Sequence, residues 1–165
     1  MSVRRLKREE GASAVEFAIV ASLLLLILFG IIQFGIAYNR VQGLNSAGRE
    51  GARAASIGVP INGVVQRVKD AASLFLPTDL TIAIDYSNDN GVNWTNVTTC
   101  SAPCNSPATT TSCPGPCQAG SLIRVTASTG ATNAIRTKYA IAIPLWASWK
   151  VDWSGQGLFR VDKTG

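Results

Sequence analysis

"FAIVASLLLLILFGIIQFGIAY", Phe17 to Tyr38, runs for 22 residues without a formal charge, and only Ser22, Gly30, Gln33 and Gly35 interrupt its large apolar and alanine content. As a helix this stretch rises about 33 Å, enough to cross a hydrocarbon core about 30 Å thick. Arg4, Arg5, Lys7 and Arg8 stand just ahead of it. Positive charge on that side predicts a cytoplasmic N-terminus, a single crossing, and everything beyond Tyr38 exported.

The composition agrees. With 165 residues, 47% hydrophobic and 15% charged, the chain has room for one ordinary domain plus an appendage and leans toward membrane or secreted classes. The net charge of +5 reads as a topogenic signal rather than a phosphate-binding patch, because the basic cluster directly precedes the apolar run. No basic stripe interleaved with aromatic residues follows, so no nucleic-acid partner is expected. Two other fates compete for the run. "GIA" at Gly35 to Ala37 would suit a signal-peptide cut, although the run exceeds the 7 to 15 apolar residues usual there; an uncleaved signal anchor is the other.

The run is preceded by "REEGASAVEF", Arg8 to Phe17, which sets Glu16 at its edge. A charge at the centre of a membrane helix costs about 2.5 to 3.5 kcal/mol on insertion scales, so it usually faces a partner or a function. The alternative is a carboxylate at the interface that snorkels into headgroups. Downstream, "RVQGLNSAGREGARAASIG" continues at helical spacing. Ala47, Gly51 and Ala55 recur every fourth position, a small face that permits close approach of another helix or packs on the chain's own domain. The helix is expected to run from Ala12 to about Ser56.

"GASAVEF" resembles prepilin-like processing sites, in which a basic leader ends in Gly and Glu stands fifth after it, before an aromatic residue. With "EGASAVEFAIVASLLLLILFGIIQFGIA" and "NSAGREGARAASIG", residues 8 to 58 resemble the TadE-like family, minor pilins or pseudopilins of tight-adherence (Flp-type) pilus systems. The resemblance implies a leader over residues 1–11, cleavage between Gly11 and Ala12, and subunit assembly through Glu16 and Phe17. Glu16 would pair with the new amine on Ala12 of a neighbouring subunit. Ala12 and Glu16 lie four residues apart on one helical face, near a helix start where negative charge is favoured. The implied partners are other pilin-like subunits, a prepilin peptidase, the inner-membrane assembly machinery and membrane lipid. The implied location is the bacterial inner membrane, with the C-terminal part periplasmic or extracellular. The rival function is a membrane-anchored surface binding protein.

Residues 57–165 form the expected exported domain. "GVP" at Gly58 to Pro60 stops the helix. In "INGVVQRVKDAASLFLP" the residues Ile61, Val64, Val65, Val68, Ala72 and Phe75 share one face, opposite Gln66, Arg67, Lys69 and Asp70, which predicts a second, core-facing helix. "LTIAIDY" alternates through Leu80, Ile82, Ile84 and Tyr86 as a half-buried strand does. "SLIRVTAS" (121–128) and "YAIAIPLWASWKVDW" (139–153) read as further strands, with Pro144 at an edge or bulge. The expected fold is α+β and pilin-like: a long transmembrane and stalk helix, a short helix, and a small antiparallel sheet.

"SNDNGVNW" follows the first strand and matches the Asp-box pattern S-x-D-x-G-x-x-W through Ser87, Asp89, Gly91 and Trp94. Gly permits positive φ, Asp binds turn amides and Trp packs beneath, so a single copy predicts a structural hairpin rather than a carbohydrate site. A calcium loop through Asp85, Ser87 and Asp89 is disfavoured, since the Gly falls one place late and the twelfth position is Asn96. "NWT" and "NVT" at Asn93 and Asn96 match a short glycosylation pattern that arises readily by chance. The loop 100–117 holds all four cysteines. In an exported segment Cys100, Cys104, Cys113 and Cys117 predict two disulfides with three possible pairings, against a four-thiolate zinc site of acceptable spacing. No metal or other cofactor is expected. The chain has no His, which removes the commonest general base, so no enzyme activity is expected.

Overall fold

The computed structural model describes residues 3–102, 104, 119–130, 135, 139–142, 148–149 and 151–161. The first element is a single helix, α1 (Val3–Ser56), that carries the apolar run and continues without a break into the domain. Its end is built as the "GVP" signal requires. Gly58 has φ +83°, Val59 N–H donates to the Ala54 carbonyl at 3.1 Å, and Gly58 N–H donates to the Ala55 carbonyl at 3.2 Å. This pair of bonds satisfies carbonyls that the last turn leaves open, and glycine takes the left-handed position without a Cβ penalty.

Helix α2 (Ile61–Ala71) follows. Its expected apolar face is buried, including Ala72 and Phe75 just past its end. Lys69 departs from the expectation: it is buried, and its ammonium donates to the Cys104 carbonyl. Cys104, four residues past the end of β2, lies against this end of α2, and a lysine stem can line apolar surface while its head finds an acceptor.

Four strands form one antiparallel sheet in the order β2 (Thr95–Cys100), β1 (Thr81–Ser87), β3 (Leu122–Ser128), β6 (Ser154–Arg160). Two two-residue strands, β4 (Ile141–Ala142) and β5 (Ser148–Trp149), pair separately. The strand structure expected over residues 139–153 is therefore corrected for the described residues: there it consists of two two-residue strands in a separate sheet, and Pro144 lies outside the described residues. The missing sheet strand is β6, which has glycine where a strand pattern looks for apolar side chains.

That substitution shapes the core. Along one row of the sheet Ile82 pairs with Ala127 and Ala127 with Gly155; along the next, Ile84 pairs with Val125 and Val125 with Gly157. Side chains on the core face thus shrink from β1 to β6, and α1 lies closest to the sheet at the glycine end. A Cβ on Gly48 of α1 would stand 2.8 Å from the Gln156 carbonyl carbon and from the Gly157 nitrogen. Cβ atoms on Gly155 and Gly157 would fall on the α1 backbone at Leu44, Asn45, Gly48 and Arg49. Helix and strand meet backbone to backbone, with Leu44, Ala47, Val64, Val68, Ile82 and Val125 closing the core beside them.

Candidate assembly site on the apolar helix

The N-terminal half of α1 is bare. Phe17, Ile19, Phe34 and Tyr38 are 74%, 67%, 81% and 67% exposed, and none of the large apolar residues between Val15 and Tyr38 is buried. A soluble protein rarely presents an apolar surface of this extent, so the face needs a lipid or helical partner. The few polar groups along it are managed locally; Ser22 Oγ donates to the Ile19 carbonyl at 2.8 Å. Gly11, Ala12, Glu16 and Phe17 all lie exposed on this helix, and nothing stands within 4 Å of a Cβ built on Gly11. Ala12 and Glu16 are one turn apart, separated by about 6 Å of rise.

The small face farther along points elsewhere. Ala47 and Gly51 are buried, Ala55 is half-buried, and a Cβ on Gly51 would meet Val68 of α2 and Val125 of β3. Within one chain, therefore, these residues seat α1 on its own domain.

Where the helix enters the domain, Arg40 and Tyr139 form a junction that the sequence reading did not single out. Arg40 Nη1 donates to the Tyr139 carbonyl at 2.8 Å, and its guanidinium lies 5.6 and 5.8 Å from the Tyr139 and Trp153 ring centroids. Trp153 Nε1 donates to the same carbonyl at 2.8 Å. The Tyr139 hydroxyl donates to Asp79 Oδ2 at 2.9 Å and accepts from the Leu76 amide at 3.0 Å. No sequence signal could have found it, since Arg40 and Tyr139 are 99 positions apart and meet through a main-chain carbonyl.

The "SNDNGVNW" stretch is the turn between β1 and β2. Ser87 Oγ donates to Asp89 Oδ1 at 2.6 Å and accepts from the Gly91 amide at 2.8 Å. The Asn93 amide and side chain donate to Asp89 at 2.9 and 2.6 Å. Asn90 and Gly91 carry φ +57° and +91°. Trp94 lies under Gly91 and stacks on the Arg124 guanidinium, 4.2 Å from its ring centroid, while Arg124 pairs with Asp85 at 2.9 Å. Every motif residue is thus engaged in holding the turn. The Asn93 amide, the Ser87 hydroxyl and the Asn93 side chain hold the Asp89 carboxyl down from its ordinary 3.8 to about 2. A carboxylate depressed on folding contributes stability that is complete above the unfolded value and is lost as pH falls through the folded one. The turn is accordingly expected to weaken between pH 3.8 and about 2, with the Asn93 amide resonance following that titration, and Asp89→Asn is expected to abolish this pH response.

Cys100 and Cys104 are joined, with Cα atoms 5.2 Å apart. This selects neighbour pairing for the first two cysteines and removes two thiolates from any zinc site. Cys113 and Cys117 lie outside the described residues. Among the described residues no group of three or more metal-ligating side chains occurs.

In comparison with known proteins, residues 11–53 match the family described as TadE-like protein. The match covers the bare helix, Arg40 of the junction and the part of the domain core that α1 supplies up to Arg53. No curated protein and no solved structure matches the chain.

Proposed function

We propose, from a TadE-like N-terminal segment, that the protein is a minor pilin or pseudopilin of a tight-adherence pilus, made as a single-span precursor and cut after Gly11 by a prepilin peptidase. A TadE-like segment and an apolar N-terminal helix fit a pilus-associated protein. The observation that carries the finer reading is the bare apolar face of α1, which starts at Glu16 and is continuous with the folded domain. Gly11 is a natural weak point in that helix, since glycine costs about 1 kcal/mol relative to alanine in a helix interior. After cleavage the cationic amine of Ala12 and the carboxylate of Glu16 on a neighbouring subunit would neutralise one another in a poorly solvated setting, fixing the stagger between subunits. Phe17 and the apolar residues after it supply the packing, and the exported domain supplies partner choice. Beyond that cleavage no step is chemical; the mechanism is association.

N-terminal sequencing of the mature protein tests the route. Ala12 is the expected first residue; Tyr38 would mean a secretory signal, and Met1 or Ser2 an anchored binding protein. Glu16→Ala is expected to abolish the protein's incorporation into surface pili. Normal processing together with normal incorporation in that variant would remove Glu16 from the mechanism.

A further inference from the structure

The cap at Gly58 sends the chain back along α1. Val59 bonds to Ala54, Arg67 meets Glu50 at 3.5 Å, Val68 lies at Gly51 and Leu74 at Gly43. Numbers fall along α1 as they rise along its partner, so α2 is antiparallel to it. The bend after α2 therefore lies at the end of the domain that faces the apolar run. Leu74 is level with Gly43, while Leu76 is tied through Tyr139 to Arg40.

Position along the helix sets the depth. Arg40 and Gly43 are two and five residues beyond Tyr38, about 3 and 7.5 Å of rise. The headgroup layer adds about 5 to 7.5 Å to each side of the hydrocarbon core. The level of Arg40 thus falls within that layer and the level of Gly43 at its outer edge. The sequence of the bend, "SLFLPT" (73–78), has no formal charge. Phe75 turns into the core at 4% exposure, whereas Leu74 and Leu76 on either side are left 45% and 52% exposed.

We propose that Leu74 and Leu76 insert into the lipid interface beside the exit of α1, giving the exported domain a second membrane contact. The proposal rests on α1 being a membrane span. Lipid is the occupant because Leu74, seated at Gly43, stands over the helical face that carries Ile36 and Ile32, seven and eleven residues earlier and both exposed, on a segment free of charge. A helix alone leaves the tilt of its domain open; a second contact off the axis constrains it.

The test uses the full chain in vesicles of phosphatidylethanolamine and phosphatidylglycerol, with a photoreactive diazirine amino acid replacing Phe34, Leu76 or Val92 in turn. Val92 is 77% exposed and sits in the β1–β2 turn at the far end of β1. Mass spectrometry after illumination is expected to find lipid adducts at 34 and 76 and none at 92. Adducts at 34 without any at 76 would overturn the interfacial contact and leave the span standing. Adducts at 76 to another copy of the chain, in place of lipid, would also overturn it. No adduct at 34 would overturn the span itself, and the contact with it.

Discussion

Gly157→Ala is expected to destabilise the α+β domain by about 3 kcal/mol, the upper part of the range for overpacking a well-filled core. The added methyl would land on the Gly48 carbonyl and the Arg49 backbone. A flexible side chain can swing away from an intruder; a helix backbone can move only as a whole. Relief requires α1 to lift from β6, which opens gaps around Leu44 and Ala47, both fully buried. Unfolding of the full chain in detergent micelles, followed by near-ultraviolet circular dichroism, measures the loss. Ser154→Ala, at an exposed position in the same strand, is expected to change stability by less than about 0.5 kcal/mol. An unchanged midpoint for Gly157→Ala would mean that helix and strand do not meet backbone to backbone.

Tyr139→Ala is expected to cost about 4 kcal/mol, in line with truncation of a buried aromatic. The side chain is 7% exposed, packs on Phe75 with ring centroids 4.8 Å apart, and lies beside the Arg40 guanidinium. Its hydroxyl joins Leu76 to Asp79. Tyr139→Phe keeps the ring and is expected to cost about 1 to 3 kcal/mol, for the amide and carboxylate left without that hydroxyl. The same unfolding measurement separates the two. Equal losses in both variants would assign the whole effect to the hydroxyl.

Features written in periodic apolar residues were legible in the sequence. The helix through Tyr38, the face of α2 and the alternation from Leu80 to Tyr86 repeat large side chains at the spacing their structures require, and each is found. The Gly58 cap and the turn at Ser87 to Trp94 were legible because particular residue types are needed for positive φ and for binding turn amides. Strand β6 was hidden because its core-facing positions are glycines, and a close approach of two backbones leaves no apolar signal. Strand β2, "TNVTTC", is an edge strand with mostly polar faces. The junction at Tyr139 joins residues 99 positions apart through a main-chain carbonyl, and such a partner carries no side-chain signature. In the candidate assembly site the residue types at Gly11, Ala12, Glu16 and Phe17 stood out. The pairing proposed for them is between two copies of the chain, so one copy cannot display it.

Because α1 passes from the apolar run into the domain core with no loop between, the domain has no freedom to swivel. Rotation of the apolar half of α1 turns the domain through the same angle, and axial tension reaches β6 as shear across the Gly48 and Gly157 contact. Each residue of helix contributes about 100° of turn and 1.5 Å of rise. A single residue inserted between Tyr38 and Leu44 would therefore swing the domain by about 100° relative to the apolar half of the helix. The azimuth of the domain about the apolar helix is thus set by a residue count, in the few positions where that helix enters the domain.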